Sequence, residues 1–159
     1  MRRVLVVEDD PYVYEAIQTA FLLKGGFDVA HAGDGETALA QLDGVAPDVA
    51  LIDFGLPKVS GIAIAERAAG RNIPVILMSG YGDVVAQSNH YRFPMLPKPF
   101  RVTELVDRFE EVVAEAGRLT EIARHEIEIG KSLAVEARTQ QRSLSDAWLR
   151  ICERMLLRR

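Results

Sequence analysis

The sequence predicts a doubly wound α/β domain, a five-stranded parallel sheet with helices on both faces, followed by a C-terminal helical tail. Three observations lead there. Short apolar runs recur at Val4–Val7, Phe27–Ala30, Val49–Ile52, Val75–Met78 and Met95–Leu96, each closed by polar or turn residues. None shows the period-2 alternation of a strand with one wet face, so they suit strands buried on both sides. Stretches with helical spacing separate them, and repeated strand–helix alternation is the pattern of parallel sheets with crossover helices.

The helices follow in order. Val13, Ile17, Ala20 and Phe21 form the first stripe, entered through Asp10 as N-cap and Pro11 at the first helical position. Gly25-Gly26 stops it. Ala38, Leu39 and Leu42 mark the second helix; Ile62, Ala65 and Ala69 mark the third. Between Ala86 and Pro94 the polar run Gln87-Ser88-Asn89-His90 carries little apolar periodicity, which predicts a short or irregular fourth helix. Val102, Leu105, Val106, Phe109, Val112, Val113 and Ala116 form the strongest stripe. The domain thus spans residues 1–117 and the helical extension residues 118–159.

Composition limits the alternatives. A chain of 159 residues accommodates one domain and an appendage. Its 48% hydrophobic and 26% charged residues exclude collagen-like, low-complexity and wholly disordered classes. No apolar run approaches the ~18–20 residues of a membrane span. Val4–Val7 is too short for a secretory signal, and the lone Cys152 cannot close an internal disulfide; both predict a cytoplasmic protein. Residues 1–117 hold 10 Lys/Arg against 17 Asp/Glu, whereas residues 118–159 hold 9 against 6. An acidic body with a mildly basic tail indicates two parts with different tasks.

Open parallel sheets bind ligands beyond the carboxyl ends of their strands, where the strand order reverses. Strand 1 delivers Glu8, Asp9 and Asp10 there; strand 3 delivers Asp53, strand 4 Ser79-Gly80 and strand 5 Lys98. In the order 2-1-3-4-5, strands 1 and 3 are neighbours, so Asp9 and Asp53 face each other. Carboxylates crowded in one cleft repel unless they share a cation, and hard oxygen ligands with positions left for water describe a Mg²⁺ site. A carboxylate can also act as nucleophile and become an aspartyl phosphate. The constellation points to phosphoryl transfer onto a carboxylate. Asp10 is assigned to capping the first helix.

These residues resemble the receiver domain of two-component response regulators, CheY-like proteins with a flavodoxin-like fold. The matching stretches are Val4-Leu5-Val6-Val7-Glu8-Asp9-Asp10, Leu51-Ile52-Asp53-Phe54-Gly55-Leu56-Pro57 with Gly61, Ile76-Leu77-Met78-Ser79-Gly80 and Leu96-Pro97-Lys98-Pro99-Phe100. Four motifs in the right order cover roughly residues 1–117. The resemblance implies that Asp53 is the phosphoacceptor and that Glu8, Asp9, Asp53 and the Gly55 backbone carbonyl hold Mg²⁺. It implies that Ser79, with Gly80 beside it, closes on the phosphoryl oxygen, and that Lys98 pairs with it. The Lys98–Pro99 bond is often cis in this family. A histidine kinase or histidine phosphotransfer protein is the implied partner.

Three positions depart from the family pattern. Met95 stands where receivers commonly carry an aromatic residue that swings inward on activation. Lys98 follows Ser79 by only nineteen positions, a shorter interval than the family usually shows. Gly55 and Tyr81 occupy the two positions that tune water's access to the acyl phosphate, Gly55 leaving room and Tyr81 able to shield.

The tail continues the helical period. Leu119, Ile122, Ile129, Leu133 and Ala137 form one stripe, and Leu144, Trp148, Ile151 and Met155 another. Gly117 and Gly130 weaken a helix without ending it. The polar run Thr139-Gln140-Gln141-Arg142-Ser143 predicts a break, with Ser143 or Ser145 capping a last helix. The tail reads as a dimerisation or partner-docking element, with a homodimer through the Val102 helix and the tail as one form. His125 on its helix reads as a solvated histidine, Cys152 as a small buried hydrophobe, and His31 and His90 lack partners at metal-ligand spacing.

The expected function is a response regulator in a two-component phosphorelay that accepts a phosphoryl group on Asp53 and signals by protein–protein contact. It is not expected to be a dedicated enzyme, beyond Mg²⁺-dependent self-phosphorylation from small donors and autodephosphorylation. Two alternatives remain: a DNA-binding transcriptional regulator acting through the short tail, and a Mg²⁺-dependent aspartyl-phosphate hydrolase. Against the first, the tail shows no tight glycine turn between two short helices and little net charge. Against the second, dehalogenase-type enzymes place an acid two residues after the nucleophile, where this chain has Gly55. A flavodoxin-like cofactor binder lacks its Gly/Ser/Thr-rich phosphate loop after strand 1. No membrane partner is expected.

Overall fold

The computed structural model describes residues 1–44, 46–80 and 93–156, and side chains as far as Ser143. The strands are β1 (Arg2–Val7), β2 (Phe27–Ala32), β3 (Val49–Asp53), β4 (Val75–Ser79) and β5 (Met95–Pro97). The described helices are α1 (Pro11–Lys24), α2 (Gly35–Asp43), α3 (Gly61–Ala69) and α4 (Val102–Leu156). All strand pairs are parallel, in the order β2-β1-β3-β4-β5 expected from the sequence. Tyr81 and most of the segment expected to hold an irregular helix lie outside the described residues.

Successive strand residues point to opposite faces of a sheet, which sorts the apolar runs into two cores. Leu5, Val7, Ala50, Ile52 and Leu77 face one way, against Ala38 and Leu42 of α2 and Ile64, Ala65 and Ala68 of α3. Val4, Val6, Leu51, Ile76 and Met78 face the other way, against Ile17, Ala20 and Phe21 of α1 and Leu105 and Phe109 of α4. Every residue of β3 and β4 is buried, which is why neither shows alternation in the sequence. On the second face, Phe21, Phe27 and Phe109 pack tilted and edge-to-face at centroid separations of 5.0–5.2 Å, a favourable aromatic geometry.

Side-chain caps start the first three helices. Asp10 accepts from the Tyr12 and Val13 amides at 2.8 and 3.4 Å, the capping role assigned to it above, and Pro11 follows. Asp34 caps α2 through Thr37 and Ser60 caps α3 through Ala63. Gly25 and Gly26 sit at φ 74° and 83°, the left-handed region that ends α1 at little cost to a glycine.

Three sequence expectations are corrected. The strands reach further than the apolar runs, so Asp53 and Ser79 are the last residues of β3 and β4 rather than the first beyond them. The buried face of α3 is Ile64, Ala65 and Ala68, with Ile62 and Ala69 only half-buried. The break at Thr139–Ser143 is absent, because α4 runs from Val102 to Leu156 without interruption. That stretch contains neither Gly nor Pro, and the Thr139 hydroxyl returns to the Val135 carbonyl at 2.9 Å, so nothing stops the backbone ladder. Ser143 and Ser145 lie inside the helix, not at the start of another.

The chain divides into a compact unit, Met1–Ala116, and a second one beginning at Gly117. In the second, every residue from 117 to 143 is exposed. Among the described residues, no helix is long and apolar enough to cross a membrane.

Candidate functional site

Parallel register fixes the site. Val7 pairs with Ile52 and Asp53 with Met78, so β1, β3 and β4 end level and release Glu8, Asp53 and Ser79 at one edge. Carboxylate oxygens of Glu8, Asp9 and Asp53 lie within 4.8 Å of one another. Glu8 is 1% exposed and Asp53 8%, whereas Asp9 is exposed to solvent. Lys98, just past β5, extends its ammonium between two of them, 2.7 Å from Glu8 Oε2 and 3.0 Å from Asp53 Oδ1. The Lys98–Pro99 peptide is cis, as the motif implied.

Burial pushes the Glu8 carboxyl above the usual glutamate value, and the repulsion of Asp53 adds to it; the bond from Lys98 offsets only part of this. Burial also works against the Lys98 ammonium, but the hydrogen bonds and charges of Glu8 and Asp53 outweigh it and hold its pKa above the ordinary lysine value. The two carboxylates thus set the direction for Lys98, whereas at Glu8 burial and Asp53 prevail over the shared cation.

Ser79 is fully buried, and its hydroxyl has no hydrogen-bond partner among the described residues. Burying such a group without a partner costs about 1–3 kcal/mol. Gly80 is half-buried beside it. At Gly55 an added Cβ would meet, among the described residues, only Asp53 Oδ2, at 3.8 Å, so these leave the approach to the carboxylate open on that side. Gly61 is different: a Cβ there would overlap the Asp53 carbonyl oxygen, so only glycine lets α3 begin directly beneath the acceptor strand. Met95 pairs with Leu77 and packs, half-buried, against the α2/α3 core, with Phe93 packed against the same core.

Sequence reasoning missed two contacts. The Glu8–Lys98 pair spans 90 residues, and the order 2-1-3-4-5 sets their strands apart; only the length of the lysine stem closes the gap. His31, which has no partner at metal-ligand spacing, makes a contact of another kind: its Nε2 lies 2.9 Å from the Glu8 carbonyl oxygen and its ring stacks on Tyr14 at 3.7 Å. Its place at the end of β2, beside β1, is the signal that could have found it.

Buried acids, a shared lysine and a hydroxyl without a partner among the described residues thus meet at the carboxyl edge of a 2-1-3-4-5 α/β sheet. Comparison with known proteins agrees: residues 4–110 match the family described as "Response regulator receiver domain", and the chain belongs to that family. It is 37% identical over 110 residues to the regulatory protein AtoC of Escherichia coli (strain K12), covering 66% of this chain and 24% of that protein. It is 35% identical over 113 residues to the DNA-binding response regulator MtrA of Mycolicibacterium smegmatis, covering 67% of this chain and 48% of that one. The chain therefore spans half or less of the length of these curated relatives. A solved putative response regulator from Chloroflexus aurantiacus superposes with TM-score 0.62 at 29% identity, covering 71% of this chain and 98% of the other. Receivers of this family generally bind Mg²⁺ at an acidic pocket. The cluster of Glu8, Asp9 and Asp53 fits such an ion, being all hard oxygen donors at mutual distances one cation can bridge.

Proposed function

We propose that this chain is a phosphoryl-accepting switch of a two-component phosphorelay, with Asp53 as acceptor and a histidine kinase or histidine phosphotransfer protein as donor. The observation that supports this best is the placement of the Asp53 carboxylate 3.0 Å from Lys98, in one pocket with Glu8 and Asp9 and with the orphan Ser79 hydroxyl at the end of the next strand. An Asp53 carboxylate oxygen attacks the phosphorus of a phosphohistidine. The O–P bond forms as the P–N bond breaks, and the imidazole leaves carrying a proton. Glu8, Asp9, Asp53 and the Gly55 carbonyl would hold Mg²⁺, which when bound neutralises charge building on the phosphoryl oxygens.

Lys98 then exchanges its bond to the Asp53 carboxylate for one to the new phosphoryl group, and Ser79 gains the partner it lacks. Both contacts favour one conformer over another, which shifts the population. The open side at Gly55 admits the water that later hydrolyses the acyl phosphate; Tyr81 is the residue proposed to limit it. Met95, already packed on the core, takes the position of the family's aromatic switch without a ring to rotate. The output is protein–protein contact, with the tail from residue 118 as its interaction element, in a cytoplasmic setting. DNA binding is a word in some relatives' names, over lengths this chain does not span, and forms no part of the proposal.

The test is incubation with Mg²⁺ and a small phosphodonor, followed by intact-mass measurement. A hydroxylamine-sensitive adduct on Asp53, absent from Asp53→Asn, is the expected result. Rapid turnover of many phosphoesters would instead make the chain a hydrolase, and no adduct would remove the acceptor role.

A further inference from the structure

We propose that residues 119–137 of α4 pair with the same residues of a second copy, antiparallel and centred on Glu128. The inference rests on reading the tail as an interaction element and is independent of the acceptor chemistry. Leu119, Ile122, Ile129 and Leu133 are each 47–60% exposed, although aliphatic side chains in a folded protein are mostly covered. They share one face of the helix with Ala123, Glu126, Gly130 and Ala137. Leu119, Ala123, Glu126, Gly130, Leu133 and Ala137 follow one another at steps of four and three, the spacing of a coiled-coil seam. Glu121–Arg124 and Glu128–Lys131 occupy the other face as ion pairs of 3.7 and 3.8 Å, suited to water.

Along these six positions the seam is complementary to itself in the antiparallel direction. Large residues (Leu119, Leu133) and small ones (Ala123, Gly130, Ala137) alternate along it. A parallel pair sets each residue against its own copy. Alanines and glycine would then face one another across gaps, and Glu126 would meet the Glu126 of the second copy, like charge on like. The antiparallel pair centred on Glu128 sets Leu119 against Ala137 of the second copy and Leu133 against its Ala123. It lays the stem of Glu126 over the second copy's Gly130, and brings Ile127 and Ile129 beside their own copies at the middle. Large against small at every layer is how facing helices fill space. Each of the four aliphatic side chains so covered removes roughly 100 Å² from water, about 400 Å² per copy. The alanines and charged stems carry this towards the ~800 Å² per partner of a stable interface.

The experiment uses the full chain with Cys152→Ser. Light scattering is expected to give a dimer that Leu133→Glu converts to monomer while beryllofluoride binding persists, showing the first unit intact. Gly130→Leu improves helix propensity yet fills a position that must stay small, so it is expected to weaken dimerisation at least tenfold. Under mild oxidation, Leu119→Cys mixed with Ala137→Cys is expected to cross-link, and Leu119→Cys alone is not. A monomeric parent, or a dimer tightened by Gly130→Leu, overturns the pairing; a Leu119→Cys homodimer overturns its direction. Asp53→Asn is expected to leave the mass unchanged, so failure of the acceptor reading and failure of this one are separable.

Discussion

Between Val102 and Ala116, α4 buries Leu105 and Phe109 completely, whereas beyond Gly117 the same helix at the same spacing leaves Leu119, Ile122 and Leu133 more than half exposed. The acidic pocket inverts this contrast, for there Glu8, Lys98 and Ser79 are drawn out of water while apolar groups of the tail are left in it. Each region departs from the ordinary sorting of polar and apolar groups, and each departure names what the region binds. The pocket suits charge, and the tail suits another apolar surface.

The contrast can be broken first by truncating equivalent residues in the two stretches. Phe109→Ala should destabilise the first unit by about 4 kcal/mol, whereas Leu133→Ala should cost it less than about 0.5 kcal/mol in dilute urea titrations. Equal losses would mean that the tail's stripe is covered within its own chain. Next in size is Gly61→Ala, where overlap with the Asp53 carbonyl should cost about 2–3 kcal/mol and slow adduct formation on Asp53 together; a normal phosphorylation rate would show that the acceptor's backbone tolerates displacement.

Ser79→Ala should raise stability by about 1 kcal/mol, because it removes an unpartnered buried hydroxyl, while the phosphorylated form loses its response. A fall in stability would show that the hydroxyl has a partner in the resting protein. Glu8→Gln should raise the metal-free melting temperature by about 3 °C. Its carboxyl is held above the ordinary value, so the folded state favours the protonated form. Stability from this group is therefore recovered as pH falls through the raised value towards 4.5 and is lost above it, a loss that Gln removes. Smallest is Arg67→Ala. Its bond to Asp43 is short at 2.6 Å, but both side chains are more than half exposed, and melting should change by no more than about 0.5 kcal/mol.

The sheet was legible because five short apolar runs, none alternating, admit few arrangements, and the strand order then placed Glu8, Asp53, Ser79 and Lys98 at one edge. The Lys98–Glu8 bond was not legible, because reach across two intervening strands is a property of side-chain length and of the folded sheet's twist. Nor was the continuity of α4. Polarity in Thr139–Ser143 resembled a loop, yet helices are stopped by backbone chemistry, and Gln140, Gln141 and Arg142 carry no such signal. Asp10 went the other way: its position before Pro11 announced a cap, and a cap is what it is.

The Lys98 clasp has a consequence for ionic strength. Added salt screens charges that face water and leaves enclosed ones nearly untouched. The surface cluster of Arg2, Lys24 and Glu110 will loosen in concentrated chloride, while Lys98, held between a 1%-exposed glutamate and the acceptor aspartate, keeps its grip. Sulfate, which strengthens apolar burial, acts on both cores of the sheet as well as on the tail. The enclosed clasp and the surface cluster therefore answer differently to the same salt.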